Sequence, residues 1–128
     1  MHRFSVVALC LLCAISGAQA AKSSDSGVDC ASNDLAQVEM NGCASQAFQK
    51  KDHELNVMYG QLVKQWDADS VRQLQAAQRA WLQFRDLECI FEAPDTAGSL
   101  GPYETANCLT ELTKERIADF RRMLRAAH

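Results

Sequence analysis

Proline is almost absent: only Pro94 and Pro102 occur in 128 residues, so nothing forbids helix on proline grounds before residue 94. Sustained apolar–polar alternation is absent too, and with it the half-buried strand. No C-x-x-C pair is present, and beyond residue 20 the histidines are only His53 and His128, which removes the usual donor set of a zinc site. Positive charge is in deficit, with 13 Lys and Arg against 16 Asp and Glu, which argues against nucleic acid as a partner. The longest apolar run, residues 4–15, is too short to span a bilayer, so no stable membrane insertion is expected.

A catalytic set is also missing. His53 lies between Asp52 and Glu54 with no nucleophile at helical spacing. Asp67 and Asp69 sit where a turn is expected, and capping accounts for them better than acid–base work. Ser99 in AGSLG lacks the strand–turn–helix context of a nucleophile elbow, and its two glycines do not match a phosphate-binding loop. Met40, Met58 and Met123 are too scattered for a copper site. No enzyme activity, cofactor or metal is expected.

What is present begins with an export signal. A basic start, the apolar run and Ala18-Gln19-Ala20 in an A-x-A pattern read as a signal peptide over residues 1–20, cleaved after about Ala20. A lipid anchor needs a small residue before its cysteine, but Cys10 and Cys13 each follow leucine. Periplasmic or secreted residence follows. The signal carries one cation, Arg3, so the remainder has 12 basic and 16 acidic side chains, a net −4. Such a domain can be steered toward a basic protein. Four cysteines remain: Cys30, Cys43, Cys89 and Cys108. In a small exported domain they read as two disulfides.

Residues 21–32, small and polar, read as a flexible leader before a helical domain at 33–128. Asn33 or Asp34 can cap a first helix. Ala44, Phe48, Leu55, Tyr59, Leu62 and Trp66 recur at helical spacing up to the turn at 67–70, with Asn41-Gly42 as a weak point that could set off a short piece at 34–41. A second helix, capped by Asp69 or Ser70, runs to about Phe91, with Leu74, Ala77, Trp81 and Phe84 inward. The proline- and glycine-bearing stretch EAPDTAGSLGPYET, residues 92–105, reads as a loop. A third helix from about Glu104 or Thr105 to Ala126 carries Leu109, Leu112, Ile117, Phe120 and Leu124. The fold class is all-α: an antiparallel bundle of three main helices with two disulfides.

A hairpin turning near Ala68 can be measured along its arms, since each helix rises ~1.5 Å per residue. Arg85 then lies level with residue 51, beside Asp52, and Trp81 lies level with Leu55. The expectation is an Asp52–Arg85 ion pair at the edge of an aromatic core, with Asn56 and Gln78 as polar neighbours. Trp81 and Arg85 are thus structural residues. Cys43, Cys89 and Cys108 fall toward one end, and Cys30 can fold back to it. Heights leave all three pairings of the four cysteines open.

The assembled pattern resembles the LprI-like domain family, small exported bacterial proteins named for a lysozyme inhibitor. The likeness runs from Cys30 to about Leu124. It rests on Glu39-Met40-Asn41-Gly42-Cys43-Ala44, on Asp52-His53-Glu54-Leu55-Asn56 with Tyr59, and on Ala77-Gln78-Arg79-Ala80-Trp81 with Phe84-Arg85-Asp86 and Cys89. Gly98-Ser99 and Cys108 with Leu112-Thr113 and Arg116 complete it. Lys51 stands where the family usually has a small residue, and Ala97 where it often has glycine.

The resemblance implies a disulfide-linked helical protein that binds and inhibits lysozyme or a related peptidoglycan-cleaving glycosidase. The alternative is an envelope binding, immunity or adaptor protein without lysozyme activity, since one bundle serves many roles. Host lysozymes are basic and carry two carboxylates in a deep cleft. The best-placed surface for such a target is residues 92–103. Gly98 lets backbone approach closely there, and the hydroxyls of Ser99 and Tyr103 can donate to carboxylates. The competing role for this stretch is a plain connector between helices.

Overall fold

A computed structural model describes residues 27–93 and 95–126. The expected signal peptide, residues 21–26 of the leader and His128 lie outside the described residues. Three helices make up the fold: α1 (Gln37–Gln65), α2 (Ala68–Glu92) and α3 (Gly101–Ala126). Helical turns at Asp95–Leu100, broken at Gly98, join α2 to α3. Among the described residues there is no strand, and no helix is long and apolar enough to cross a membrane.

α1 starts at Gln37, three residues beyond Asp34, and neither expected cap is used. Glu39 does the work from inside: its Oε2 accepts from the Ala36 N–H at 2.8 Å, which supplies a partner for a first-turn amide. The anticipated break at Asn41-Gly42 does not occur, and the helix is continuous through it. Gly42 costs roughly 1 kcal/mol there, but its neighbours are held. Gln37 Nε2 donates to Asn41 Oδ1 at 2.8 Å, Cys43 is bridged to Cys30, and Ala44 is buried.

Asp67, rather than Asp69 or Ser70, caps α2. Its carboxylate accepts from the Asp69 and Ser70 amides at 2.9 and 3.0 Å. Gln65 ends α1 and Ala68 begins α2, so the turn lies at the predicted place and the arms are antiparallel. α3 then packs along α1 over most of its length and against α2 over less of it.

The apolar core lies in the half of the bundle nearest the α1–α2 turn. Leu55, Leu62, Leu74, Ile117 and Phe120 form it, with Tyr59, Trp66, Trp81 and Leu124 packed around it. The inner face of α2 differs from the apolar pattern. Leu74 is buried and Trp81 joins the core, but Ala77 and Phe84 are exposed; Gln78, Arg85 and Cys89 are buried instead. A buried arginine and glutamine read as surface in a hydropathy pattern, so the pattern is misread by one position around the helix. On α3, Ala106, Thr110 and Thr113 are buried, while Leu109 and Leu112 are only half-buried.

Two carboxylates should make folding sensitive to acid. The Lys51 ammonium, hydrogen-bonded to Glu54, and Arg121 beside it hold the Glu54 pKa below its ordinary 4.5. The Ser70 amide and hydroxyl do the same for Asp67, ordinarily 3.8. A depressed folded pKa means stability that is complete above the unfolded value and lost as pH falls through the folded one. Urea midpoints followed by circular dichroism should therefore be level from pH 7 to about 5 and fall below about 4. In a Glu54→Gln, Asp67→Asn variant that acid slope should shrink; an unaltered slope would assign it to other carboxylates.

Candidate functional site

Both disulfides lie at the end where α1 begins. Cys30–Cys43 pins the chain before α1 to its second turn, with Cα atoms 5.7 Å apart. Cys89–Cys108 ties the end of α2 to the start of α3, 5.5 Å apart, and so staples the base of the α2–α3 connection. These are the bridges that the sequence had left unassigned among three pairings.

The connection between them is shorter than the sequence suggested. α3 begins at Gly101, so Pro102, Tyr103 and Glu104 are its first turn rather than loop. Proline suits the first positions of a helix, where its missing N–H has no partner to lose. Gly98 has φ +58° and ψ −131°, a region that side-chain-bearing residues rarely adopt. Ser99, next to it, is exposed, and its carbonyl accepts from Asn41 Nδ2 at 3.2 Å. Asn41 thus anchors the loop to α1, a role that its place in the sequence did not disclose.

Between loop and helices lies an open cleft of about 540 Å³, bordered by Asn41, Ser45 and Phe48 of α1, Gly98 of the loop, and Thr105 and Leu109 of α3. A second open depression of about 380 Å³, beside Cys108, is lined by Glu92, Glu104, Asn107 and Glu111. These glutamates come from two helices, and Glu111 also accepts from Lys114 at 2.7 Å. Sequence reasoning missed this acidic border. Glu104 and Glu111 are two turns apart on α3, a spacing that was available as a signal, but Glu92 joins them only through the fold.

Further into the bundle, Arg85 links all three helices. Its side chain is only 8% exposed. Nη1 donates to Asp52 Oδ1 on α1 at 2.9 Å and to Thr113 Oγ1 on α3 at 3.3 Å, and Nε donates to Asp86 at 3.0 Å. Asn56 Nδ2 donates to the other Asp52 oxygen at 3.3 Å. The guanidinium lies over Phe48 and Trp81, 5.1 and 5.3 Å from the ring centroids. Trp81 also faces Arg116 at 5.6 Å, and Arg116 Nε donates to Gln78 Oε1 at 3.0 Å. Burial pulls the Arg116 pKa below its ordinary value, with Asp119 opposing. Cations over aromatic faces are attracted by the ring quadrupole. Among the described residues no buried side-chain nitrogen or oxygen lacks a partner.

Asp52, Asn56, Trp81 and Arg85 are therefore gathered in one place, as their levels on the hairpin implied. Gly98 and Ser99 sit at the tip and Tyr103 on the adjoining helix turn. Phe48 connects the two regions, since its side chain both borders the cleft and covers Arg85. Among the described residues no group of three or more His, Cys, Asp or Glu is placed to hold a metal ion.

This arrangement can be set beside known proteins. The family described as lysozyme inhibitor LprI matches residues 28–120. The chain belongs to the LprI family. An uncharacterized protein of Rhizobium meliloti (strain 1021) is 32% identical over 109 residues, covering 73% of this chain and 77% of the relative. No solved structure matches the chain. The family match takes in all four bridged cysteines, the Asp52–Arg85 node and the Gly98-Ser99 tip. LprI proteins are described as inhibitors rather than enzymes, and two disulfides suit an oxidising, extracytoplasmic compartment.

Proposed function

We propose that this LprI protein is exported to the periplasm or beyond, where it binds and inhibits lysozyme or a related peptidoglycan-cleaving glycosidase. The observation that carries the reading is the stapled, exposed tip bordered by carboxylates. Glu92, Glu104 and Glu111 lie beside Cys108, and complementary charge of this kind speeds encounter with a basic enzyme. The tip is fixed before binding by the Cys89–Cys108 bridge, Asn41 and the turn at Gly98, so little ordering entropy is lost on contact. Ser99 is exposed on the tip and Tyr103 lies in the adjoining first turn of α3; their hydroxyls are donors suited to the paired carboxylates of a glycosidase cleft.

The test is residual lytic activity of a panel of lysozymes after addition of the purified, oxidised protein. Inhibition at micromolar protein is expected. Ser99→Ala with Tyr103→Ala should weaken it by at least about tenfold, the scale of one lost hydrogen bond to a charged group. If no lysozyme is slowed, the inhibitor reading fails and the envelope-adaptor alternative takes its place. If lysis is slowed but the double variant is as potent as wild type, inhibition runs through another surface.

A further inference from the structure

The outward side of α2 is apolar where nothing among the described residues covers it. Phe84, Leu87, Ile90 and Phe91 are 51%, 59%, 63% and 80% exposed. At 100° per residue, Phe84, Leu87 and Phe91 fall with Ala77 and Ala80 in one strip about 80° wide, and Ile90 flanks it. The strip lies well away from the buried face marked by Leu74, Gln78, Arg85 and Cys89. Scattered surface leucines need no explanation, but a contiguous strip of this size is often functional.

We propose that this strip is a homodimer interface in which α2 packs antiparallel on α2 of a second copy. The occupant is read from the self-complementarity of the strip. Its N-terminal half is small, Ala77 and Ala80, and its C-terminal half is bulky, Leu87 and Phe91. A two-fold axis at Phe84 brings Phe91 of each copy over Ala77 of the other, large into small. The pairing is isologous and stops at two.

The area is sufficient. At roughly 200 Å² for a side chain of this class, the four large residues present about 500 Å² per copy, before the alanines are added. Two copies thus bury about 1,000 Å², the lower limit of a specific interface, which places the dimer among weaker, exchanging ones. The proposal is independent of the lysozyme reading, because the strip is on α2 and the tip residues are not part of it.

Light scattering after size exclusion of the oxidised protein should give twice the chain mass at micromolar concentration. Leu87→Asp puts a carboxylate into the middle of the strip and should raise the dimer Kd by at least about tenfold. Phe91→Gln should act in the same direction, and serves if the first variant folds poorly; circular dichroism reports helix content for both. A monomer up to about 100 μM, a Kd too weak for an area of this size, overturns the proposal. So does a dimer indifferent to Leu87→Asp and Phe91→Gln, or a monomer that uses the strip to bind phosphatidylcholine vesicles.

Discussion

Replacing Cys89 and Cys108 together by alanine should lower the unfolding free energy by about 3 kcal/mol, the chain-entropy value for a bridge closing a loop of this length. The two cysteines are 19 residues apart in sequence. Cys89 is fully buried, so the lost sulfur adds a small packing defect in the same direction. Removing Cys30 and Cys43, 13 residues apart, should cost slightly less by the same relation. The two deletions differ more in function. Under the proposed inhibitor function, losing Cys89–Cys108 frees the base of the tip, and inhibition of lysozyme should fall further than stability alone accounts for. Urea unfolding followed by circular dichroism, beside a lysis assay under native conditions, separates the effects. Equal losses of inhibition from the two deletions would mean that the tip needs no staple.

Asp52→Ala should cost about 1–3 kcal/mol, because it leaves the Arg85 guanidinium enclosed without its partner on α1. The figure stays below that for a fully buried pair. Asp52 is itself 36% exposed, and Arg85 retains Thr113 and Asp86. A cycle with Arg85→Met separates pairing from packing. Methionine keeps much of the apolar stem between Phe48 and Trp81, so Asp52→Ala should cost far less in the Arg85→Met background. Additive losses measured by urea unfolding would show that the two charges do not depend on each other.

The node was legible in the sequence because a hairpin with a marked turn has a ruler built in. Asp67 and Ala68 fix where the arms meet, and equal rise places Asp52 opposite Arg85. The face of α2 was not legible, since periodicity weighs residues by polarity. Arg85 and Gln78 are inside only because Asp52, Thr113 and Arg116 stand ready to bond them, and those partners come from other helices. Asn41-Gly42 misled for a related reason: the glycine's local cost is offset by Gln37 and by the Cys30 bridge. The tip was located but overextended. Glycines and prolines mark irregular chain, yet Gly101-Pro102 here open a helix. The disulfide pairing needed the distance between Cys30 and Cys43, which no register argument supplies.

The apolar cluster from Leu55 to Phe120 occupies the half of the bundle near the α1–α2 turn, while the opposite half is closed by two bridges and by small buried residues such as Ala44, Ala106 and Thr110. Assembly and display are therefore carried by different parts of the molecule. Side chains at the displayed end owe little to the oily interior, so they can be exchanged at small energetic cost. A scaffold built this way can be re-targeted by rewriting surface positions at that end while its foundations stay untouched.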